Sequence, residues 1–208
     1  MLEKLAKQTA VYGISTIAVR FLSYLLTPVF TRVFEPEAYG IVTDVYALIP
    51  FALVVLTMGL ESAYFRFAAK ADAAAAAAGG TEGEIAARAR AGKRRLFATA
   101  WGVTLLAASL FFLLTAFGRE RVAEWMGEAY VAHPEYVLLV AAVVWFDVAA
   151  CLPFSRLREQ GRAMTFVGIK ALGVVVNVAL AIGFAPAGLY GSPFGVGWVF
   201  VANLIASA

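Results

Sequence analysis

Residues 136–155 read YVLLVAAVVWFDVAACLPFS. A helix needs about 20 mostly apolar residues to cross a bilayer, and this run is long enough. It carries a single charge, Asp147, near its middle. A charged side chain at the bilayer centre costs roughly 2.5–3.5 kcal/mol on insertion scales. The run therefore predicts a membrane-spanning helix whose Asp147 faces protein or water and not lipid.

Three other ionisable residues lie in comparable surroundings: Arg20, Glu61 and Lys170. Four such groups facing lipid would together cost on the order of 10 kcal/mol. Two are acidic and two basic, so they can neutralise one another inside a bundle. This is the charge pattern of a transporter core, and a simple membrane anchor would not need it.

The whole chain supports the membrane reading. Of 208 residues, 62% are hydrophobic and only 15% charged, against about 25% charged in a soluble domain. The mean hydropathy is +0.81. One cysteine, Cys151, rules out an internal disulfide framework. One histidine, His133 beside Pro134, leaves no material for a zinc or haem site or for Cys–His catalysis. No paired acids in an aqueous loop, DxD or glycine-rich phosphate loop is found, so an enzyme is not expected and no cofactor or metal is assigned. The net charge of +3 reads as topology and not as a nucleic-acid footprint.

Outward from 136–155, six hydrophobic spans are expected, at about 9–33, 38–68, 95–117, 136–155, 163–185 and 194–208. The first follows the short basic leader MLEKLAKQ. It includes Arg20 and has no small-residue cleavage signal, so it reads as a retained helix. The sixth is short for a span, which predicts a chain that stops inside a helix. Residues 71–94, with an alanine run and Gly79–Gly80, read as an Ala/Arg-rich cytoplasmic loop. From Thr81 on, that loop can form a short amphipathic helix. It is either a solvated loop or a basic segment touching anionic lipid headgroups.

Lysine and arginine set the orientation. Lys4 and Lys7 precede the first span. Lys70, Arg88, Arg90, Lys93, Arg94 and Arg95 follow the second, and Arg156, Arg158 and Arg162 follow the fourth. The opposite side holds Arg32, Arg119 and Arg121. The N-terminus and the even-numbered loops are thus expected in the cytoplasm. The external loop GRERVAEWMGEAYVAHPEY is expected to form a short interfacial helix with its aromatic residues at headgroup level.

Polar residues recur at helical spacing on several spans. Thr9, Tyr12, Thr16, Arg20, Ser23, Thr27 and Thr31 share one face of the first. Thr43, Tyr46, Pro50, Thr57, Glu61 and Tyr64 mark the second less regularly, with Pro50 a candidate kink. Glu61 and Arg66 point about 140° apart and are poor partners. Lys170, Gly173 and Asn177 share a face of the fifth. These stripes line either a wet cavity or a hydrogen-bonded seam between helices. The third span carries no charge and reads as peripheral. The sixth offers Asn203.

Three stretches resemble polysaccharide flippases of the multidrug/oligosaccharidyl-lipid/polysaccharide exporter superfamily. They are QTAVYGISTIAVRFLSYLLTPVFTRVFEPEAYG (8–40), GLESAYFRF (59–67) and DVAACLPFSRLREQGRAMTFVGIKALGVVVNVAL (147–180). The turn TRVFEPEAYG, with Arg32, Pro36, Tyr39 and Gly40, carries the likeness best. The resemblance implies an all-α integral membrane protein, a six-helix transmembrane bundle forming the N-terminal lobe of a two-lobed transporter. It also implies a bacterial inner-membrane location and a missing C-terminal lobe as partner.

The substrate implied is a polyprenyl-diphosphate-linked oligosaccharide, moved to the outer leaflet by alternating access. Arg20, Lys170 and Asn177 would bind substrate. Asp147 and Glu61 would balance charge or bind a coupling proton or sodium ion. The rival expectation is a cation-coupled multidrug or metabolite exporter of the same superfamily. Membrane lipids are expected partners, and nucleic acid is not.

The orientation is directly testable. With Cys151 replaced, a cysteine probe at Glu128 should react with an impermeant label added outside intact cells, and one at Gly80 should not. The reverse labelling would overturn the topology.

Overall fold

The computed structural model describes residues 26–208. Arg20 and most of the first expected span lie outside the described residues. Among those described, every regular element is helical and none is a strand. Helix α1 is Thr27–Val33, α2 is Pro36–Thr57 and α3 is Leu60–Ala77. Helix α4 is Glu82–Phe117, α5 is Arg119–Met126 and α6 is Glu128–Val131. Helix α7 is Glu135–Glu159, α8 is Ala163–Phe184 and α9 is Gly197–Ser207, with a 3-10 turn at Leu189–Gly191 before it.

Four segments are long and apolar enough to cross a membrane: Pro36–Ala77, Glu82–Phe117, Glu135–Glu159 and Ala163–Phe184. Helix α9 is a shorter apolar helix. The third, fourth and fifth expected spans thus correspond to α4, α7 and α8. The sixth starts later than expected, at Gly197, because residues 194–196 belong to the preceding turn.

The second expected span is two helices. Pro50 stays inside α2 without ending it. The break falls instead at Met58 and Gly59, both in left-handed conformation, with φ of 49° and 69°. Glycine takes that conformation freely, whereas Met58 takes it at a cost of about 1–2 kcal/mol. The new helix puts Glu61 in its first turn, where a carboxylate suits the helix dipole.

Residues 71–94, expected as a loop, form a helical hairpin. Alanine is the best helix former, and Ala73–Ala77 extend α3 where composition alone suggested a linker. The chain reverses at Gly79 and Gly80, with φ of 65° and 116°. A capping box then starts α4: Glu84 N donates to Thr81 Oγ1 at 3.4 Å, and Thr81 N donates to Glu84 Oε2 at 2.9 Å. Arg88 Nη1 donates to Gly79 O at 2.8 Å and ties α4 back to the turn.

Helix α7 is the axis of the packing. It contacts α2, α3, α4, α8 and α9. Val143, Val144, Val148 and Leu152 on it are all buried. Helix α4 was expected to be peripheral, yet it packs more extensively on α7 than any other helix does. Ala100, Thr104 and Ala108 recur every fourth residue on its buried side. Small residues in such a row let two helices approach closely. Thr104 Oγ1 donates to Ala100 O at 2.7 Å, so the hydroxyl is satisfied within α4. Across the interface, Trp101 Nε1 donates to Ala149 O at 2.9 Å, and Trp145 Nε1 donates to Ser109 Oγ at 3.1 Å.

Tyrosines fasten the end of the bundle that carries α5 and α6. Tyr136 Oη donates to Phe194 O at 2.7 Å, and Tyr190 Oη donates to Ala181 O at 2.6 Å. Burial, with Tyr46 nearby, pushes the Tyr190 phenol up to about 12, so it remains a donor at neutral pH.

Ion pairs fasten the opposite, basic end. Lys93 Nζ on α4 lies 2.7 Å from both Asp72 Oδ2 on α3 and Glu159 Oε1 on α7. Arg158 Nη2 on α7 pairs with Glu61 Oε1 on α3. Arg158 also lies 5.5 Å from the ring centroids of Phe65 and Phe166, and its Nη2 donates to Ser155 Oγ at 3.2 Å. Both partners of the Glu61–Arg158 pair are part-exposed, which places it among pairs worth about 0–1 kcal/mol. Glu61→Gln and Arg158→Gln should each lower the unfolding temperature in detergent. The double variant should lose less than the sum, with a coupling of about 0.5–1 kcal/mol. Strictly additive losses would show that the pair is not coupled.

Candidate functional site: a polar cavity between three helices

Asp147 lies on the flank of α7 that turns toward α8 and α9. A cavity of about 500 Å³ opens there, and Asp147, Phe154, Lys170, Asn177, Asn203 and Ser207 are in its wall. Glycine makes this geometry possible. A Cβ on Gly173 would meet Ala206 O at 3.1 Å, so a side chain there would push α9 back by a few tenths of an ångström.

The expected set Asp147, Lys170 and Asn177 is thus gathered in one cavity. Lys170 Nζ lies 4.4 Å from the Phe154 ring centroid, a cation–π contact. Its charge acts on Asp147 through space, and no direct salt bridge joins the two. Ser207 is within hydrogen-bonding reach of the Asp147 carboxylate. The Ser207 hydroxyl also donates to Asn203 Oδ1 at 3.5 Å.

A second cavity, of about 340 Å³, lies against α1 and α2, with Thr27, Phe30, Tyr39, Thr43 and Tyr46 among its lining. Asn177 lines both cavities. Tyr46 lines the second cavity and Asn203 the first, with Asn177 between them. These three side chains, from α2, α8 and α9, form the junction between the two spaces. Asn177 Oδ1 is buried and, among the described residues, accepts no hydrogen bond. A buried acceptor without a donor costs about 1–3 kcal/mol, so a donor group on a ligand would be favoured there.

Glu61 is not part of this site. It was expected to balance Arg20 or Lys170, and it pairs instead with Arg158, with the Cys151 thiol 3.7 Å from its Oε2. Arg156 and Arg158 were expected in a loop. Helix α7 runs past the apolar stretch and holds both in its last turn, where cations suit the dipole. Arg156 lies 4.7 Å from the Phe97 ring centroid. Among the described residues, no group of His, Cys, Asp and Glu could hold a metal ion.

Sequence reasoning noted Asn203 without a role and missed Ser207. The signal was available: the two are four apart on α9 and share a face. Thr27, Thr43 and Tyr46, read from the polar stripes, all reach the second cavity. Thr31, on the first stripe, instead bonds its own helix, donating to Thr27 O at 3.0 Å.

Among the described residues, the site offers one cation, the exposed Lys170, one carboxylate, two amides and the Ser207 hydroxyl. Such a set can hold a polar or anionic group. No curated protein and no solved structure matches the chain. A family of polysaccharide biosynthesis proteins matches residues 5–208. With a match over nearly its whole length and an all-helical, multi-pass membrane architecture, the chain belongs to the polysaccharide biosynthesis protein family, which includes flippases of the multidrug/oligosaccharidyl-lipid/polysaccharide exporter superfamily.

Proposed function

We propose that this chain forms the N-terminal lobe of a flippase that moves a polyprenyl-diphosphate-linked oligosaccharide from the cytoplasmic to the outer leaflet of a bacterial inner membrane. The family supports a role in polysaccharide export. The single observation that carries the reading is the 500 Å³ cavity with Lys170, Asp147, Asn177 and Asn203 in its wall. A glycan needs amide and hydroxyl partners, and a diphosphate needs a cation in a low-dielectric setting, where the attraction is stronger than in water.

In this scheme Lys170 and Arg20 hold the diphosphate. Asn177 and Asn203 bond sugar hydroxyls. Asp147 offsets the basic charge when the cavity is empty. A C-terminal lobe facing the cavity completes the passage, and alternation between the two lobes opens it to each side in turn.

A second reading has its own support. Asp147, Ser207, Asn203 Oδ1 and the unpartnered Asn177 Oδ1 are all oxygen ligands near one another. Hard cations favour such a set. A cation-coupled multidrug or metabolite exporter would use it for a proton or sodium ion.

The two readings separate in proteoliposomes of the full-length protein. Under the flippase reading, Lys170→Ala should slow transfer of a fluorescent lipid-linked oligosaccharide about tenfold, equivalent to about 1.4 kcal/mol. Lys170→Arg should keep most of the rate. Asp147→Asn should slow transfer less than Lys170→Ala, because it leaves the diphosphate contacts in place. Under the exporter reading, Asp147→Asn should abolish ion-driven substrate efflux, and Lys170→Ala should leave it intact. Full transfer by Lys170→Ala would overturn the flippase scheme.

A further inference from the structure

Helix α4 changes character at Leu96. From Leu96 to Phe117 it is apolar, a length of roughly 33 Å at 1.5 Å per residue. That matches the hydrocarbon core of a bilayer, about 30 Å. Leu106, Leu110, Leu113 and Phe117 are exposed on it, with Phe117 at 89%. They follow Arg95 at helical spacing and lie on its side of the helix. That side therefore faces lipid tails, and Arg94 and Arg95 fall at the depth of the headgroups.

A cavity of about 460 Å³ sits at this level, lined by Arg90, Ala91, Arg94, Arg95 and Ala98. All three arginines are exposed, and no acid is in the wall. The two alanines leave room between the guanidinium groups. The nearby acids are engaged elsewhere: Asp72 and Glu159 with Lys93, and Glu61 with Arg158. Among the described residues, Arg90, Arg94 and Arg95 form no salt bridge.

We propose that this pocket binds the phosphate headgroup of an anionic phospholipid in the adjoining leaflet. Guanidinium groups bind phosphate through paired, parallel hydrogen bonds, and the long side chains of Arg90 and Arg95, about 140° apart around α4, flank the pocket with Arg94 between them. A basic residue near an anionic membrane surface is drawn to it. The acyl chains of the same lipid run along the exposed apolar stripe above. The bound lipid holds the α3–α4 hairpin against the membrane. The pocket stands apart from the Asp147–Lys170 cavity, so this site is independent of what the protein transports.

The test uses the whole protein in nanodiscs of equal phosphatidylglycerol and phosphatidylcholine, followed by gentle detergent extraction and mass spectrometry of the retained lipid. The wild type should retain phosphatidylglycerol preferentially. The preference should fall about tenfold in the triple variant Arg90→Gln, Arg94→Gln, Arg95→Gln. The variant Arg119→Gln, Arg121→Gln, altered on α5 beyond the other end of α4, should keep it. If the triple variant does not fold, a salt titration of the wild type replaces it, and the preference should collapse as salt rises. Millimolar inorganic phosphate should not displace the lipid. No preference in the wild type, an unchanged preference in the triple variant or under high salt, or displacement by free phosphate would each overturn the proposal.

Discussion

The structure depends on one constraint: Asp147 cannot face hydrocarbon. It sits midway along α7, the helix on which the rest of the bundle packs. The valine-rich sides of α7 are buried by its neighbours. The side carrying Asp147 needs polar company, and α8 and α9 supply it through Lys170, Asn203 and Ser207. The close approach at Gly173 brings those two helices together so that they share the cavity. A polar cavity between α7, α8 and α9 thus follows from the placement of a single carboxylate.

The chain handles its charges in two ways. At the basic end, Glu61–Arg158 and the Lys93 pairs are direct contacts among α3, α4 and α7. Direct pairing uses up the charge, and these groups serve architecture. In the cavity, Lys170 lies over the Phe154 ring and acts on Asp147 only through space. A cation without a bound counter-ion remains able to accept an anion, and a carboxylate nearby limits its cost while it waits. Three of the four ionisable residues that define the chain can be placed, and they divide along this line: Glu61 pairs directly with Arg158, and Asp147 and Lys170 line the cavity.

Much of this was legible in the residues. Apolar length marked α4, α7 and α8, because in a membrane burial against lipid follows length and composition directly. The spacing of Lys170, Gly173 and Asn177 identified one wall of the cavity. What failed did so for physical reasons. The alanine run looked like a linker because low complexity and loops often coincide, although alanine propensity favours helix. The third span looked peripheral because its apolar stretch carries no charge, while the α4 interface is built from Ala100, Thr104 and Ala108, which signal packing by their small size. The Met58–Gly59 break gave no warning, since one glycine inside an apolar run is compatible with a continuous helix and Pro50 was the more conspicuous breaker. The Glu61–Arg158 pair joins residues far apart in sequence, and periodicity along one helix cannot reveal a partner on another.

The junction at Asn177 links these observations to transport. Tyr46, Asn177 and Asn203 come from three different helices and separate two cavities whose walls are otherwise distinct. An apolar partition would close the passage more tightly, but it would offer nothing to a sugar crossing it. Hydrogen-bonding side chains make a partition that can exchange its internal bonds for bonds to hydroxyl groups at little net cost, since a typical exchange is worth only about 0.5–1.5 kcal/mol. Among the described residues, the buried Asn177 Oδ1 is left without a donor. A polyhydroxylated solute supplies the missing donor, and a purely apolar drug does not. The polar character of the junction accords with the polysaccharide biosynthesis family to which the chain belongs.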